Sequence, residues 1–502
     1  MKKTALLCLI LSACMALTAC SPKIKSSNLP GVTLAPALSV YQPPDGDEQR
    51  KRIETVLLYL PAKSTQQLAA VPVKMSLPPN RHPAETVLSR LFSFTGDEVS
   101  EPVAKDTEIS LYAGRPVEIS GNTATVNLDA SALALNTSAM EQLCRAITNT
   151  LCQWGDIQYV NVLVADKQTG VDIASSLPMG SLRKTKNEES LWEKQAPSGR
   201  FTLNATLYYP ALLGKGVMAE TRAVTFSDSS HENMVESLLV ALSSKESTDI
   251  NTCVFPGLMA LLKEDISVST STAGGGEEIS LSFLPEANGA FINAGIPRSV
   301  MVASITLTLT TFLPNIAGIR IQIGDETISA LAPTGLVTGK RQMEFENGLI
   351  RRRDFPPFIT DQIPVYYANE RGKLQKTLVT VPSNERQNVR YIFDMLTQDT
   401  DQYLSARGIR KALAGGVSAS DLIGYTMEGD TLLLNMSNNF SESFNSLSID
   451  ESRLAIYSIV NTMCELRGIR RVRFFISGEQ PENFSDSIFL PGEFIRNPGM
   501  VN

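Results

Sequence analysis

Histidine is nearly absent. The 502 residues hold two, His82 and His231, which excludes most imidazole-based catalysis and most zinc sites built from His and Cys clusters. A basic excess is lacking too. Lys and Arg total 45 against 52 Asp and Glu, a net charge of -7. The chain therefore has no footprint for displacing counterions from phosphates, and no nucleic-acid partner is expected. Mean hydropathy is close to zero, which excludes a polytopic membrane protein. No C-x-x-C, G-x-G-x-x-G, Walker loop or G-x-S-x-G is present, so no metal, cofactor or acyl-transfer site is expected. Cys144 and Cys152 are eight residues apart on one predicted helix. At about 1.5 Å per residue that is about 12 Å, beyond the ~7 Å reach of a disulfide. With Cys253 and Cys464 they are expected to be buried thiols.

What is present begins at the N-terminus. Met1-Lys2-Lys3 is basic, Thr4 to Ala19 is uncharged, and the run ends in Leu17-Thr18-Ala19-Cys20. This is similar to the lipobox of bacterial lipoproteins. The resemblance implies a signal peptide over 1–19, cleavage after Ala19 and lipid attachment at Cys20. Such an anchor holds a soluble domain on a bilayer through its acyl chains. Pro22, Pro30, Pro36, Pro43 and Pro44 then break any helix, so 20–52 reads as a lipidated tether. The expected location is the extracytoplasmic face of the cell membrane.

The rest of the chain repeats itself. AITNTLCQWGDIQYVNVLV from Ala146 aligns without a gap on SIVNTMCELRGIRRVRFFI from Ser458, at an offset of 312. Ile147, Asn149, Thr150, Cys152, Ile157 and Val160 meet Ile459, Asn461, Thr462, Cys464, Ile469 and Val472. A middle copy from Ile305 keeps only the apolar pattern. Tyr59-Leu60-Pro61, Tyr208-Tyr209-Pro210 and Tyr366-Tyr367-Ala368 align upstream, as do Val126-Asn127-Leu128-Asp129 and Leu434-Asn435-Met436-Ser437. Each copy closes with a Leu/Pro turn: Leu177-Pro178, Leu331-Ala332-Pro333 and Leu490-Pro491. These spacings mark tandem domains.

Each copy reads as strand, helix, two strands, helix, strand. The first strands are Thr55–Leu60, Thr206–Tyr209 and Ile363–Tyr367. Period-two alternation at Ala124, Val126, Leu128 and at Val160, Val162, Val164 marks two later strands. Met140, Leu143, Cys144, Ile147, Leu151 and Trp154 form the stripe of the second helix. The fold class is α+β, three tandem β-α-β-β-α-β (split βαβ) domains over 53–180, 202–335 (divergent) and 361–495. The uncharged run Ser299–Ile319 is long enough to pass for a membrane span. It occupies the second-helix slot and is Thr-rich, so a buried helix and strand are expected.

On these features the copies resemble the GerMN domains of sporulation and spore-germination lipoproteins. The resemblance implies ring-building-motif-like domains at the cell surface and no catalytic residue. Family members commonly carry two copies, so a third is a departure.

Candidate chemistry is thin. His82 and His231 fall at first-helix starts and read as solvated. Glu277 and Glu278 are adjacent on a strand, so they point to opposite faces. Asp129 reads as a solvated strand end, since the third copy has Ser437. Gly274-Gly275-Gly276 reads as a hairpin. Arg351-Arg352-Arg353 and the cluster Arg467, Arg470, Arg471 and Arg473 are the densest basic stretches and read as solvated. The Arg-bearing strand Val472 to Ile476 is the candidate contact surface. The sequence therefore points to a non-catalytic envelope protein for protein–protein assembly, with other envelope proteins or itself as partner. The alternative is a surface protein that binds or modifies peptidoglycan.

Overall fold

Each copy opens with a β-hairpin, where the pattern predicts one strand. In this computed structural model β1 (Arg52–Pro61) pairs antiparallel with β2 (Leu68–Leu77). In β2, half-buried Val71, Val73 and Met75 alternate with exposed Pro72, Lys74 and Ser76, the pattern of a strand with one wet face. The hairpin recurs as β7 (Phe201–Pro210) with β8 (Val217–Phe226), and as β15 (Thr360–Ala368) with β16 (Leu374–Pro382). The structure describes residues 41–47, 52–65, 67–78, 81–168, 180–186, 199–244, 252–271, 275–481 and 492–502. The signal peptide, Cys20, and the turns Leu177-Pro178 and Leu490-Pro491 lie outside the described residues.

After the hairpin come a helix and a separate four-stranded sheet. In the first copy these are α1 (Ala84–Phe92), β3 (Val117–Ser120), β4 (Thr123–Leu128), α2 (Thr137–Leu151), β5 (Tyr159–Val164) and β6 (Leu182–Arg183). The second copy has α3 (His231–Leu242), β9 (Ser267–Thr270), β10 (Glu277–Phe283), α4 (Ala287–Asn293), α5 (Arg298–Phe312), β11 (Ile316–Ile323) and β12 (Glu326–Thr327). A small pair follows, β13 (Ala330–Leu331) with β14 (Met343–Glu344). The third copy has α6 (Val389–Thr397), α7 (Gln402–Ser405), β17 (Leu422–Glu428), β18 (Thr431–Met436), α8 (Asn438–Ser443), α9 (Ile449–Met463), β19 (Arg471–Ile476) and β20 (Phe494–Ile495).

The sheets run β3-β4-β5-β6, β9-β10-β11-β12 and β17-β18-β19-β20. In each, the central pair is parallel and the flanking pairs antiparallel. A parallel pair needs a crossover, and α2, α5 and α9 supply it. The first strand of each copy is thus no member of this sheet, which corrects the split-βαβ reading.

The second helix sits between sheet and hairpin. Tyr59 N–H donates to Thr150 Oγ1 (3.1 Å), Tyr208 N–H to Thr308 Oγ1 (3.0 Å) and Tyr366 N–H to Thr462 Oγ1 (3.1 Å). Helix hydroxyls thereby satisfy a strand backbone that would otherwise lack partners. This places Thr308, not Leu309, opposite Thr150, so the middle copy has one extra residue between helix and last strand. It also explains why α5 is buried from Ser299 to Phe312 on all sides. The run Ser299–Ile319 is accordingly a buried helix and strand. No single described helix is long and apolar enough to cross a membrane, although α4 and α5, bent by 100°, would pass that test together.

Among the described residues each copy has one large apolar core, and a small cluster of Tyr366, Leu374 and Leu454 adds to the third copy. Phe345, Ile350, Phe355 and Phe358, from the stretch before the third copy, join the second core. Residues Pro43–Asn502 form one compact unit. The outer face of the first sheet packs on the second hairpin, where Asn161 Nδ2 donates to Thr206 Oγ1 (2.9 Å) and Thr123 Oγ1 meets Thr221 Oγ1 (2.9 Å). Gly121 (φ +56°) turns there, and an added Cβ would stand 2.5 Å from Ala219 O, so the close approach requires glycine.

Candidate functional site

The copies meet around a cleft of about 550 Å³, with His82, Glu118, Pro356, Arg386 and Tyr391 in its walls. His82 precedes α1. Its Nδ1 accepts from Ala84 N–H (3.2 Å), its ring stands edge-on to Trp154 (centroids 5.1 Å apart), and its Nε2 lies 3.4 Å from Asp156 Oδ2. Its side chain is 7% exposed, so the solvated reading is corrected: Trp154, just past the end of α2, covers the ring. Burial holds the His82 pKa below the ordinary imidazole value, against the pull of Asp156.

From Asp156 the charges cross to the third copy. Arg386 Nη2 is 3.3 Å from Asp156 Oδ2, and Arg386 Nη1 is 2.7 Å from Asp361 Oδ2. Burial opposes the Asp156 charge, but the hydrogen bond and charge of His82, with Arg386, hold its pKa down to about 2. Burial pushes the Asp361 carboxyl up, despite Arg386. Arg467 stacks over Trp154 (4.6 Å) and lies 3.5 Å from Glu54 Oε2. Arg352 is 4% exposed, pairs with Glu118 of β3 and lies over the Tyr208 ring at 5.9 Å. Burial pushes the Glu118 carboxyl up while Arg352 pulls it down.

Within the basic stretches Arg352 and Arg473 are buried and Arg467 is half-buried, which corrects the solvated reading for these three, while Arg353 and Arg470 are exposed. The strand Val472–Ile476 is interior to its sheet, with Val472, Arg473, Phe474 and Phe475 all under 5% exposed. It offers no open contact surface, because the outer face of β19 is buried as well as its core face. Arg471, beside it, pairs with Asp430 (2.7 Å) and Glu493 (2.9 Å).

The other candidates stand apart from the cleft. His231 is the first residue of α3, its Nδ1 2.5 Å from Glu277 Oε2. Glu278 points the other way, to Arg320 Nε (2.8 Å) and Ser271 Oγ (2.5 Å), as strand geometry requires. Asp129 caps a short 3-10 turn by accepting from Ser131 N–H, and Ser437 caps α8 by accepting from Phe440 N–H. A shared cap explains why Asp and Ser interchange there. Gly275 and Gly276 lie in the antiparallel β9–β10 connection, with φ of +81° and +94°. No disulfide joins Cys144, Cys152, Cys253 or Cys464. Burial pushes the Cys144 thiol up to about 12, and Cys152 and Cys464 to about 11.

Chemically, the cleft is a clamp. The His82–Asp156 pair has the form of a base and its orienter, but Nδ1, the nitrogen left to accept a proton, is taken by the backbone. Among the described residues no group of three or more His, Cys, Asp or Glu converges to hold a metal ion. The geometry defines a class: an α+β protein of repeated small domains joined by ion pairs, one buried and two partly buried. The model of the Germane family (sporulation and spore germination) matches residues 57–170 and 364–482, the first and third copies. These two regions of the chain are thus of the GerMN type that the family model describes. Among solved structures it is similar to the tandem GerMN domains of the sporulation protein GerM from Bacillus subtilis, at 16% identity over 59% of this chain and 98% of that one, with a TM-score of 0.21. It is also similar to a putative lipoprotein from Clostridium perfringens, at 14% identity over 28% of this chain and 89% of that one, with a TM-score of 0.19. No curated protein matches.

Proposed function

We propose that this chain is a lipid-anchored, non-catalytic envelope protein, in which three GerMN-type copies, the middle one divergent, are clamped into one platform for assembly with other envelope proteins. The observation that carries this reading is where the charged groups of the junction are directed. Arg352, Arg386 and Arg467 meet acidic partners from another part of the chain, Glu118, Asp156 and Glu54. Groups committed to holding copies together are not available to a substrate. The family's description supports a setting in sporulation or germination, and the L-T-A-C sequence at Cys20 supports anchoring. Crosslinking on intact cells, followed by capture of the chain, is expected to recover a defined envelope protein. Cys20→Ala is expected to lose both membrane fractionation and that partner. Turnover of peptidoglycan that persists through repurification would overturn the reading.

A further inference from the structure

The described residues just before the first copy make contacts with the third. Residues 44–47 lie along β17, the edge strand of the third sheet. Asn435 Nδ2 donates to Pro44 O (2.9 Å), and Tyr425 N–H donates to Gly46 O (3.1 Å). Asp47 forms a parallel bridge with Tyr425 and takes both arms of Arg390, at 2.7 Å and 2.5 Å. The approach is close: an added Cβ on Gly424 would stand 2.5 Å from Gly46 N. An edge strand presents unpaired backbone groups and is a template for another strand. Here a short strap of the chain's own N-terminal side fills part of it.

The contacts named above anchor the strap to the third copy, through one sheet and α6. The ion pair that ends it is more than one-third exposed on both sides, which places it among weak, screened contacts. The site thus recognises a four-residue sequence through two backbone carbonyls and one carboxylate, and each copy of the chain carries both the sequence and the site.

We propose that the β17 edge is a strand-acceptor site whose exchange partner is the Pro44–Asp47 strap of a second copy of this chain. Exchange of an identical element between protomers needs no new contact, and a head-to-tail link of this kind closes a ring or extends a chain. The proposal deepens the assembly reading above by naming a self-association site, yet it stands on the strap geometry and needs no lipid anchor.

The test is complementation in the full chain. Arg390→Ala lacks the acceptor but keeps the strap; Asp47→Ala lacks the strap carboxylate but keeps the acceptor. Tagged Asp47→Ala chain is expected to capture untagged Arg390→Ala chain about threefold above either like-with-like mixture, the scale of one exposed ion pair restored between two chains. Gly424→Ala is a second acceptor-deficient variant and is expected to behave as Arg390→Ala does. Circular dichroism checks that each variant is folded. Capture by the mixed pairs no greater than in the like-with-like controls would overturn the proposal, and would leave assembly with other envelope proteins untouched.

Discussion

His82 shows how one side chain is settled by residues far from it in sequence. From its neighbours alone it is a polar residue at a helix start. Its burial comes from Trp154, and its charge environment from Asp156, Arg386 and Arg467. The linkage has a definite sign. The folded pKa of His82 lies below its ordinary 6.5, first through burial. The unfolded chain therefore binds that proton more readily, and stability falls as pH drops below about 6.5. Asp156 is held to about 2 against an ordinary 3.8, so its contribution is present above about 4 and lost between there and about 2. Glu118 and Asp361, pushed up by burial, act in the opposite sense over the carboxylate range. Urea denaturation across pH is expected to show His82→Gln flattening the slope just below pH 6.5 while leaving the acid limb in place. An unchanged slope there would mean that His82 does not titrate with folding.

At the scale of elements, much was legible and the misses have common causes. The alternation at Ala124, Val126 and Leu128 and at Val160, Val162 and Val164 gave the two central strands, and the offset of 312 gave the equivalence of the outer copies. The second hairpin strands were not read, because Pro72 interrupts β2 and its exposed half leaves only Val71, Val73 and Met75 as signal. The two-sided burial of α2 was missed because Thr148, Asn149 and Thr150 look like a solvent face. Their recurrence as Asn461-Thr462 was the available clue. Asn149 Oδ1 accepts from Thr185 N–H (3.2 Å) and Asn461 Oδ1 from Asn497 N–H (2.8 Å), while the threonines hold the hairpin. The ion pairs of the cleft carry no local pattern, since Glu118 and Arg352 are 234 positions apart. Removing a staple hydroxyl tests the element. Thr462→Val leaves Tyr366 N–H buried without its acceptor, at a cost of about 1–3 kcal/mol, while Thr462→Ser keeps the oxygen and should cost less. Equal losses for the two in chemical denaturation would assign the effect to packing instead.

For the whole molecule, the question is whether three cores behave as three domains. Each is large enough to be a domain in its own right, yet the seams between them are polar and buried. Ser120 Oγ accepts from Ala219 N–H (2.9 Å) and donates to Thr360 O (2.6 Å), so one hydroxyl of the first copy touches both others. Arg352 is buried and Arg386 half-buried in the same region, and separating the copies would part Arg352 from Glu118 and Arg386 from Asp156. Three cores with such seams should unfold as one cooperative unit. Residues 338–342 form an exposed stretch before the third copy where the chain can be cut without breaking a named contact. With a protease site inserted there, the cleaved halves are expected to co-elute on size exclusion and to melt in one transition, as the uncut chain does. Arg386→Ala combined with Arg467→Ala is expected to lower the melting temperature of the cut protein without parting its halves, because both cations cross to the first copy while Phe345, Ile350, Phe355 and Phe358 still hold the later half in the second core. Halves that part without these substitutions, or two well-separated transitions in the intact chain, would show that the seams are adhesive only and that the copies are beads on a thread.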